Sequence, residues 1–363
     1  MELQRFSAQR FRNLNDLELT PAAGMNVIYG ENAQGKTNLL EAVHVLSTLR
    51  SFRTRHLPET LQFGETSSLL QGSIQSGPSK HALTVSLDQK QKFAMLDRKK
   101  VDALQYLGVF NTFSFCFPLL EVVRGGPEDR RKFLDRSIAV SKPAYLPVLL
   151  QYHRVIKQKN ALLLLLQRGE MGRKEGWDEA ASFNQQLLEH GLEIVRERTG
   201  YLSQLQQLLR EGQQLFFDRD VSLGIELRSS FLASPEEAQR SLERNLDREV
   251  TRGISLIGPH RDEVRLTADG RDLRKYGSSG QHRAFLLLLL LAQLELYERW
   301  REDRPVLLLD DLDSELDQRK IRLFVEGIQD RYQTFISSSR EELFSRNGKV
   351  RLFEIRAGKL LER

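Results

Sequence analysis

Residues 30–37 constrain the fold of this chain more than any other segment. Their sequence, GENAQGKT, fits the pattern G-x-x-x-x-G-K-[ST], whose glycines allow successive backbone N–H groups to point at phosphate oxygens. An apolar, strand-like run at residues 25–29 comes before this loop, and residues 38–49 after it have helical spacing. A strand, a phosphate loop and a helix in this order predict an α/β fold that binds a nucleoside triphosphate.

Each position of the loop has an expected part in binding the triphosphate. Lys36 is expected to neutralise the β- and γ-phosphates, and Thr37 is expected to supply a magnesium ligand. The helix that follows directs its positive N-terminal end at the phosphates. The residues predicted to contact the nucleotide are Gly30, Glu31, Asn32, Ala33, Gln34, Gly35, Lys36, Thr37 and Asn38.

A second motif, which is acidic, predicts that the chain hydrolyses the nucleotide as well as binding it. The apolar run at residues 306–309 predicts a buried strand, and Asp310 and Asp311 follow it directly. At the end of that strand, Asp310 can hold Mg²⁺ through water, and Asp311 can orient or deprotonate the water that attacks the γ-phosphate. The pair therefore predicts magnesium-dependent hydrolysis of the bound nucleotide.

The middle of the chain differs in pattern from its flanks. Residues 126–249 are rich in Leu, Gln and Arg with helical spacing, whereas the flanks carry the strand-like runs. We therefore predict an ATPase domain formed by residues 1–125 and 250–363, with an inserted, mostly α-helical domain at residues 126–249. Residues 169–176 are expected to connect two antiparallel helices, which are too short for a long coiled-coil arm.

Composition limits the environment and the partners of the chain. No apolar run approaches the ~18 residues that span a bilayer. We expect a cytoplasmic protein without membrane contact, in which the single cysteine, Cys116, has a packing role. A net charge of +5 permits a polyanionic partner without requiring one, and three basic clusters make a nucleic acid a candidate. The clusters are Arg50, Arg53, Arg55 and His56; Lys90, Lys92, Arg98, Lys99 and Lys100; and Arg124, Arg130, Arg131, Lys132 and Arg136.

Two further segments indicate the class of ATPase. Residues 277–281, Gly-Ser-Ser-Gly-Gln, precede the helical run 284–296, and residues 314–317, Ser-Glu-Leu-Asp, follow the acidic pair. They resemble the signature and the D-loop of ABC-type ATPases of the chromosome-maintenance branch. In that class the signature serine, here Ser278, contacts a γ-phosphate held by a partner subunit, so hydrolysis needs an ATP-dependent homodimer. Because the start of a helix has no evident need for Ser-Ser-Gly-Gln, we take contact with phosphate as the reason for these residues.

Five segments together resemble the RecF family. They are residues 11–14, 35–42, 130–135, 258–262 and 309–317, and they occur in that family's order. The resemblance implies an α/β, ABC-type phosphate-loop ATPase head with a mixed β-sheet and flanking helices, plus the inserted helical domain. It also implies ATP and Mg²⁺ as ligands, with Arg12 and Gln281 as further nucleotide contacts.

The same resemblance implies a role in recombinational gap repair. Proteins of the RecF family are weak, DNA-stimulated ATPases that bind double-stranded DNA and junctions of single- and double-stranded DNA, and they dimerise with ATP. They work with RecR and RecO to load RecA, and they serve replication restart and the SOS response. We therefore expect DNA, RecR and a second copy of this chain as partners.

The chain departs from related patterns at three places. Residues 115–120 carry leucines where the family has acidic residues, so no nucleotide contact is assigned there. Asp311 stands where most ABC ATPases have glutamate, and Ser337 stands where transport ATPases have a histidine. For His260, a contact to phosphate or DNA and a place in a turn both stay open.

Three other functions compete with the one that the resemblance implies. A chromosome-structuring or nuclease-coupled ATPase of the same branch would usually carry long coiled-coil arms. A kinase or small GTPase has no need of the segments at Ser278 and Ser314, and the guanine-binding motif Asn-Lys-x-Asp is absent from the sequence. A nucleotide-bound scaffold that never hydrolyses ATP stays open.

Overall fold

The structure, a computed structural model, describes residues 1–217, 221–232, 234–312, 318–340 and 350–362. Contacts divide the chain into two units. The first comprises Met1–Leu120, Gln214–Asp218 and Ser278–Arg363, and the second comprises Glu121–Gln213 and Arg219–Gly277. The second unit therefore extends to Gly277, whereas the inserted domain was predicted to end at residue 249.

The helices within the described ranges vary widely in length. They are α1 (Lys36–Thr48), α2 (Ala103–Tyr106), α3 (Glu121–Arg124), α4 (Pro127–Ser141), α5 (Tyr145–Arg168), α6 (Arg173–Phe216), α7 (Pro235–Arg244), α8 (Leu246–Arg252), α9 (Leu273–Tyr276), α10 (Ser279–Arg301) and α11 (Gln318–Ile328). Short 3-10 turns occur at Leu57–Thr60, Phe117–Leu120 and Pro259–Arg261. Among these described helices, none has the length and apolar character needed to cross a membrane.

One sheet of the first unit is antiparallel. Its strands are β1 (Glu2–Gln9), β2 (Leu17–Leu19), β4 (Ser67–Ser76), β5 (Ser79–Asp88), β6 (Lys92–Leu96) and β7 (Lys99–Val101), in the order β2-β1-β4-β5-β6-β7. Burial alternates along β4, as expected for a sheet with one covered face. Leu70 and Ile74 on its covered face join the same apolar cluster as Leu46 of α1. This sheet therefore packs on the helix that follows the phosphate loop.

The second sheet of this unit carries the predicted site. Its strands are β3 (Met25–Tyr29), β8 (Thr112–Phe115), β12 (Val306–Leu309), β13 (Thr334–Ser338), β14 (Val350–Arg356) and β15 (Lys359–Glu362), in the order β15-β14-β3-β13-β12-β8. All neighbours pair in parallel except β14 and β15. Strands β3, β12 and β13 are buried along their whole length, which explains their unbroken apolar runs. This mixed sheet with flanking helices confirms the predicted fold class.

The second unit combines α3–α9 with a small sheet that the sequence did not predict. Its strands, β9 (Leu223–Arg228), β10 (Glu263–Ala268) and β11 (Arg271–Asp272), pair antiparallel in the order β11-β10-β9. Helix α5 ends at Arg168. The residue that caps it, Gly169, has a left-handed φ of +71°, and α6 begins at Arg173. The predicted connection is present, although Gly176 lies inside α6. Helix α6 has 44 residues and is longer than the helix expected from the sequence. The helix before it in the chain, α5, has 24 residues.

Candidate functional site

The phosphate loop leaves β3 at Gly30 and enters α1 at Lys36. Gly30 has a φ of +147° and Gly35 a φ of +116°, a region that disfavours side chains. A Cβ built on Gly30 would also lie 2.5 Å from the carbonyl oxygen of Ile355 in β14. Both glycines of the motif are therefore required by backbone conformation, and Gly30 also by its close approach to a neighbouring strand.

Lys36 folds back across this loop. Its ammonium donates hydrogen bonds to the carbonyl oxygens of Gly30 at 2.6 Å and Glu31 at 2.8 Å, and the residue is 9% exposed. The charge of Lys36 is thus held over the loop by backbone acceptors, where a bound anion would meet it.

The predicted magnesium residues meet at the carboxyl ends of β3 and β12, which have β13 between them. Thr37 at the start of α1 donates from its hydroxyl to Asp310 Oδ1 at 2.8 Å, and Ser337 of β13 donates to the same oxygen at 2.7 Å. The backbone N–H of Asp311 donates to the Ser337 hydroxyl at 2.8 Å. Residues 273 positions apart in sequence, Thr37 and Asp310, are therefore in direct contact.

The surroundings of Asp310 suit a cation. Burial raises the pKa of Asp310, and the charge of Asp311 acts in the same direction, while the hydroxyls of Ser337 and Thr37 and the charge of Arg53 lower it. Two hydroxyls only partly replace the water that a carboxylate loses on burial. A carboxylate and a threonine hydroxyl are oxygen ligands of the kind that Mg²⁺ prefers. The residues present therefore fit a magnesium ion.

Asp311 has an uncommon backbone conformation. Its φ is +51°, in the left-handed region that few residues other than glycine, asparagine and aspartate adopt. The bond from its N–H to Ser337 holds this conformation, and its side chain is exposed. Strained positions of this kind cluster at functional sites, and here the strained residue carries an exposed carboxylate.

Arg12, which the resemblance implied as a nucleotide contact, is engaged with a buried carboxylate. Its Nε and Nη2 donate to the two oxygens of Glu41 at 3.0 and 2.8 Å, and its Nη1 donates to the carbonyl of Glu59 at 2.7 Å. Glu41 lies in α1 and is fully buried. In this arrangement Arg12 neutralises Glu41 and supports the helix behind the phosphate loop.

Two residues that sequence reasoning missed support the same loop. Asn13 donates from its amide to the carbonyl of Ala33 at 3.1 Å and accepts from the Asn38 amide at 2.7 Å. Arg53 in turn donates to the Asn38 side-chain oxygen at 2.7 Å. Asn13 lies in the motif at residues 11–14 and Arg53 lies in a basic cluster, so both had a sequence signal. Neither signal indicated contact with Asn38.

Ser278 and Gln281 form a reciprocal cap at the start of α10. The Ser278 hydroxyl accepts from the Gln281 N–H at 3.2 Å, and the Gln281 side-chain oxygen accepts from the Ser278 N–H at 2.8 Å. This capping box satisfies two backbone donors that a helix start leaves without partners. Our premise that the start of this helix has no need of these residues was therefore wrong. Ser278 itself is exposed, and residues 314–317, the predicted D-loop, lie outside the described residues.

Two RecF-like segments meet inside the second unit. Arg198 of α6 is 1% exposed and binds both oxygens of Asp135 at 2.9 Å. It also donates to Asp262 at 2.7 Å and to the Pro259 carbonyl at 2.8 Å. Segments 130–135 and 258–262 are thus joined by a buried arginine, which accounts for Asp135 and Asp262 by contacts within this unit.

His260 has both ring nitrogens engaged. Its Nε2 lies 3.2 Å from the carbonyl of Ser255, which can only accept, so Nε2 carries the proton. Its Nδ1 then accepts from the Tyr152 hydroxyl at 2.8 Å. Burial lowers the pKa of His260 to about 4. A neutral ring bonded on both sides favours a place in the turn over a contact with phosphate.

The three basic clusters differ in their surroundings. In the first unit, the first two clusters adjoin, because the Lys92 ammonium donates to the carbonyl of Leu49, the residue before Arg50, at 2.9 Å. In the second unit, the third cluster does not form a uniform surface. Arg130 is 6% exposed, and Arg131 donates to the backbone carbonyl of Asp262. The surface around Arg50 and Lys92 is therefore the better candidate for a polyanion.

The chain matches known proteins over nearly its whole length. The family model described as RecF/RecN/SMC N terminal domain matches residues 2–359. The DNA replication and repair protein RecF of Geotalea daltonii is 33% identical in an alignment of 348 positions that covers 93% of this chain and 93% of that protein. The protein of the same name from Staphylococcus carnosus is 32% identical in an alignment of 373 positions that covers 100% of both chains.

Solved structures are similar as well. A structure of the recombination mediator protein RecF with ATP, in the RecFOR pathway, has a TM-score of 0.89 and 30% identity over 100% of this chain and 99% of that chain. The Smc head domain of Pyrococcus furiosus, with an extended coiled coil, has a TM-score of 0.57 and 13% identity over 99% of this chain and 96% of that chain. The second likeness shows the fold alone.

Proposed function

The chain belongs to the RecF family, within the wider group of RecF, RecN and SMC proteins, and from that membership we propose that it is an ATP-hydrolysing, DNA-binding protein of recombinational gap repair. The observation that carries the proposal is the meeting of Thr37, Asp310 and Ser337 beside the Lys36 loop. This arrangement joins a phosphate-binding loop to a carboxylate at a strand end, which is what phosphoryl transfer requires.

ATP binds with its phosphates in the loop of residues 30–37. The backbone N–H groups between Gly30 and Gly35 and the N-terminus of α1 face the β-phosphate. Lys36 exchanges its two carbonyl acceptors for oxygens of the β- and γ-phosphates. Thr37 and, through water, Asp310 would hold a Mg²⁺ ion, which would supply charge neutralisation for the phosphates. In support, a solved RecF with 30% identity to this chain is named as a complex with ATP.

Asp311 prepares the attacking water. Its exposed carboxylate, at the end of β12, accepts a proton from a water directed at the γ-phosphate. The hydroxyl of Ser337 holds the backbone of Asp311 and the carboxylate of Asp310 together, so both acidic residues keep a fixed position relative to the loop.

Ser278 acts across a dimer interface. The serine is exposed at the N-terminus of the 23-residue helix α10, where the helix dipole favours negative charge. A γ-phosphate held by a second copy of the chain would meet this N-terminus, and Gln281 keeps Ser278 at its position through the capping box. ATP would in this way join two subunits, and DNA-stimulated hydrolysis would separate them.

DNA binds on the basic surface of the first unit. The Lys92 ammonium donates to the carbonyl of Leu49, the residue before Arg50, at 2.9 Å, so exposed cationic residues of both clusters lie on one surface, where nucleic-acid phosphates can bind. As the family resemblance implies, we propose double-stranded DNA and junctions of single- and double-stranded DNA as substrates. We propose that the chain contacts RecR directly, and that RecO and the loading of RecA act after this contact. These steps are proposed to take place in the cytoplasm.

Hydrolysis of ATP tests the proposed function. The purified chain should release phosphate from ATP in the presence of Mg²⁺, slowly alone and faster with duplex DNA. An equal rate of phosphate release with and without DNA would contradict the coupling of ATP hydrolysis to DNA binding. No release in either condition, with ATP still bound, would leave the chain a nucleotide-bound scaffold.

A further inference from the structure

The turn between β14 and β15 lies against the outer side of the phosphate loop. It consists of Ala357 and Gly358, with φ of +46° and +75°, as in a two-residue hairpin turn of type I′. Strand β14 pairs in parallel with β3 and runs past the end of that strand, from which the phosphate loop emerges. The turn is therefore placed beside the loop by the sheet itself.

Gln34 of the phosphate loop is bound twice by this turn. The Gly358 N–H donates to the Gln34 backbone carbonyl at 3.0 Å, and the Ala357 N–H donates to the Gln34 side-chain oxygen at 2.7 Å. The side-chain oxygen of Gln34, predicted as a nucleotide contact, thus accepts from the hairpin.

The turn is fixed from its other side by the segment after β1. The Gly358 carbonyl accepts from the backbone N–H of Asn15 at 3.1 Å, and the Ala357 carbonyl accepts from the side-chain amide of Asn15 at 3.2 Å. A Cβ built on Gly358 would overlap the carbonyl oxygen of Asn13. Since that neighbour is backbone, it cannot give way by a rotamer change. Only glycine allows the turn to lie this close.

We propose that the Ala357–Gly358 turn is a positioning device that holds the phosphate loop in its ATP-binding conformation and thereby sets ATP affinity. A loop whose N–H groups converge on an anion gains affinity when its conformation is fixed before binding, because less ordering is needed on association. The turn supplies this order through its two bonds to Gln34 and through Asn13, which lies against Gly358 and donates to the Ala33 carbonyl of the loop. The inference rests on the proposed function, since it concerns the same ATP site.

Gly358→Ala tests the inference, and the chain offers a matched control. Asp269 and Gly270 form the β10–β11 turn, with φ of +50° and +73° respectively. A Cβ built on Gly270 would meet nothing within 4 Å. Both substitutions carry the same penalty for a left-handed alanine, but only Gly358→Ala disturbs the contact with Asn13. Calorimetric titration with ATP and Mg²⁺ should show at least about tenfold weaker binding for Gly358→Ala, and affinity within about twofold of the parent for Gly270→Ala.

Gln34→Met provides a second variant if Gly358→Ala does not fold. Methionine keeps the length of the side chain and removes the acceptor for the Ala357 N–H, so its melting temperature without nucleotide should stay near that of the parent while its ATP affinity falls. Equal ATP affinity in the parent and in each folded variant would overturn the positioning role alone. Failure of the parent itself to bind ATP would instead overturn the proposed function, and the two failures are thus distinct.

Discussion

The hydroxyl of Ser337 donates to Asp310 Oδ1 at 2.7 Å, and this contact joins the ends of the neighbouring strands β13 and β12. Ser337 also accepts from the N–H of Asp311, so one hydroxyl orders both acidic residues. The serine stands where transport ATPases have a histidine. Its position beside the acidic pair gives it a structural part in the site, independent of any contact with phosphate.

Replacing Lys36 by alanine should greatly weaken the binding of ATP. The substitution removes the charge expected on the β- and γ-phosphates and leaves the glycine backbone intact. Two charge-assisted hydrogen bonds lost at ~1.5–3 kcal/mol each correspond to at least about a hundredfold. Equilibrium titration with ATP measures the effect, and an unchanged melting temperature without nucleotide would show that the fold is preserved. Equal ATP affinity in the mutant and the parent would show that Lys36 does not contribute to ATP binding.

Asp311→Asn should bind ATP and hydrolyse it about 10²–10⁴-fold more slowly, because a neutral amide cannot accept the proton of water. Asparagine tolerates the left-handed φ of +51° at this position, so the backbone should not be strained further. Single-turnover hydrolysis and ATP affinity, measured on the same preparation, separate the two steps. Unchanged turnover would show that another group activates the water.

The pKa of His260 gives a prediction for stability against pH. Burial lowers this pKa to about 4 in the folded chain, whereas an unfolded histidine titrates near ~6.5. The unfolded state therefore takes up the proton first. The contribution of His260 is fully present above pH ~6.5 and is lost as the pH falls towards 4.

His260→Gln isolates this contribution. Urea unfolding at pH 7 and at pH 4.5 should show a larger loss of stability in the parent than in the variant. An NMR titration of the His260 ring should have its midpoint near 4. A midpoint near 6.5 would mean that the ring is solvated in the folded chain. A contact of His260 with phosphate or DNA would then again be an alternative to its place in the turn.

The parts of the site predicted from sequence are those with a local pattern. The glycine loop and the apolar strand before Asp310 each appear in a single short segment, and the structure brings Thr37 and Asp310 into contact. The mixed sheet follows from these segments because buried parallel strands read as unbroken apolar runs.

The contacts that could not be predicted join distant segments or serve two purposes. The contact between Gln34 and Ala357 spans 323 positions, and nothing in either segment indicates the other. Ser278 and Gln281 have the spacing of a capping box as well as that of a signature, and the sequence was interpreted only in the second sense. The β9–β11 sheet was missed because its strands are short and stand among helical segments.

Ser278→Arg should block association of two subunits while the isolated subunit still binds ATP. The bulky cation would occupy the place of the partner's phosphate at the start of α10. Part of any effect will come from the lost helix cap, which typically stabilises by ~1 kcal/mol. Ser234→Arg is the matched control, because Ser234 caps α7 by accepting from the Glu237 N–H at 3.2 Å. The control should lose stability to a similar extent and should still dimerise with ATP.

Sedimentation velocity of the parent chain, with and without ATP and Mg²⁺ and with labelled duplex DNA, tests most directly whether ATP controls DNA binding through a dimer. We predict a monomer without nucleotide, a dimer with ATP, and DNA that sediments mainly with the dimer, since two joined surfaces act as one bivalent site. Binding should weaken steeply with added salt. Unchanged sedimentation with ATP, or equal DNA binding without it, would contradict the account.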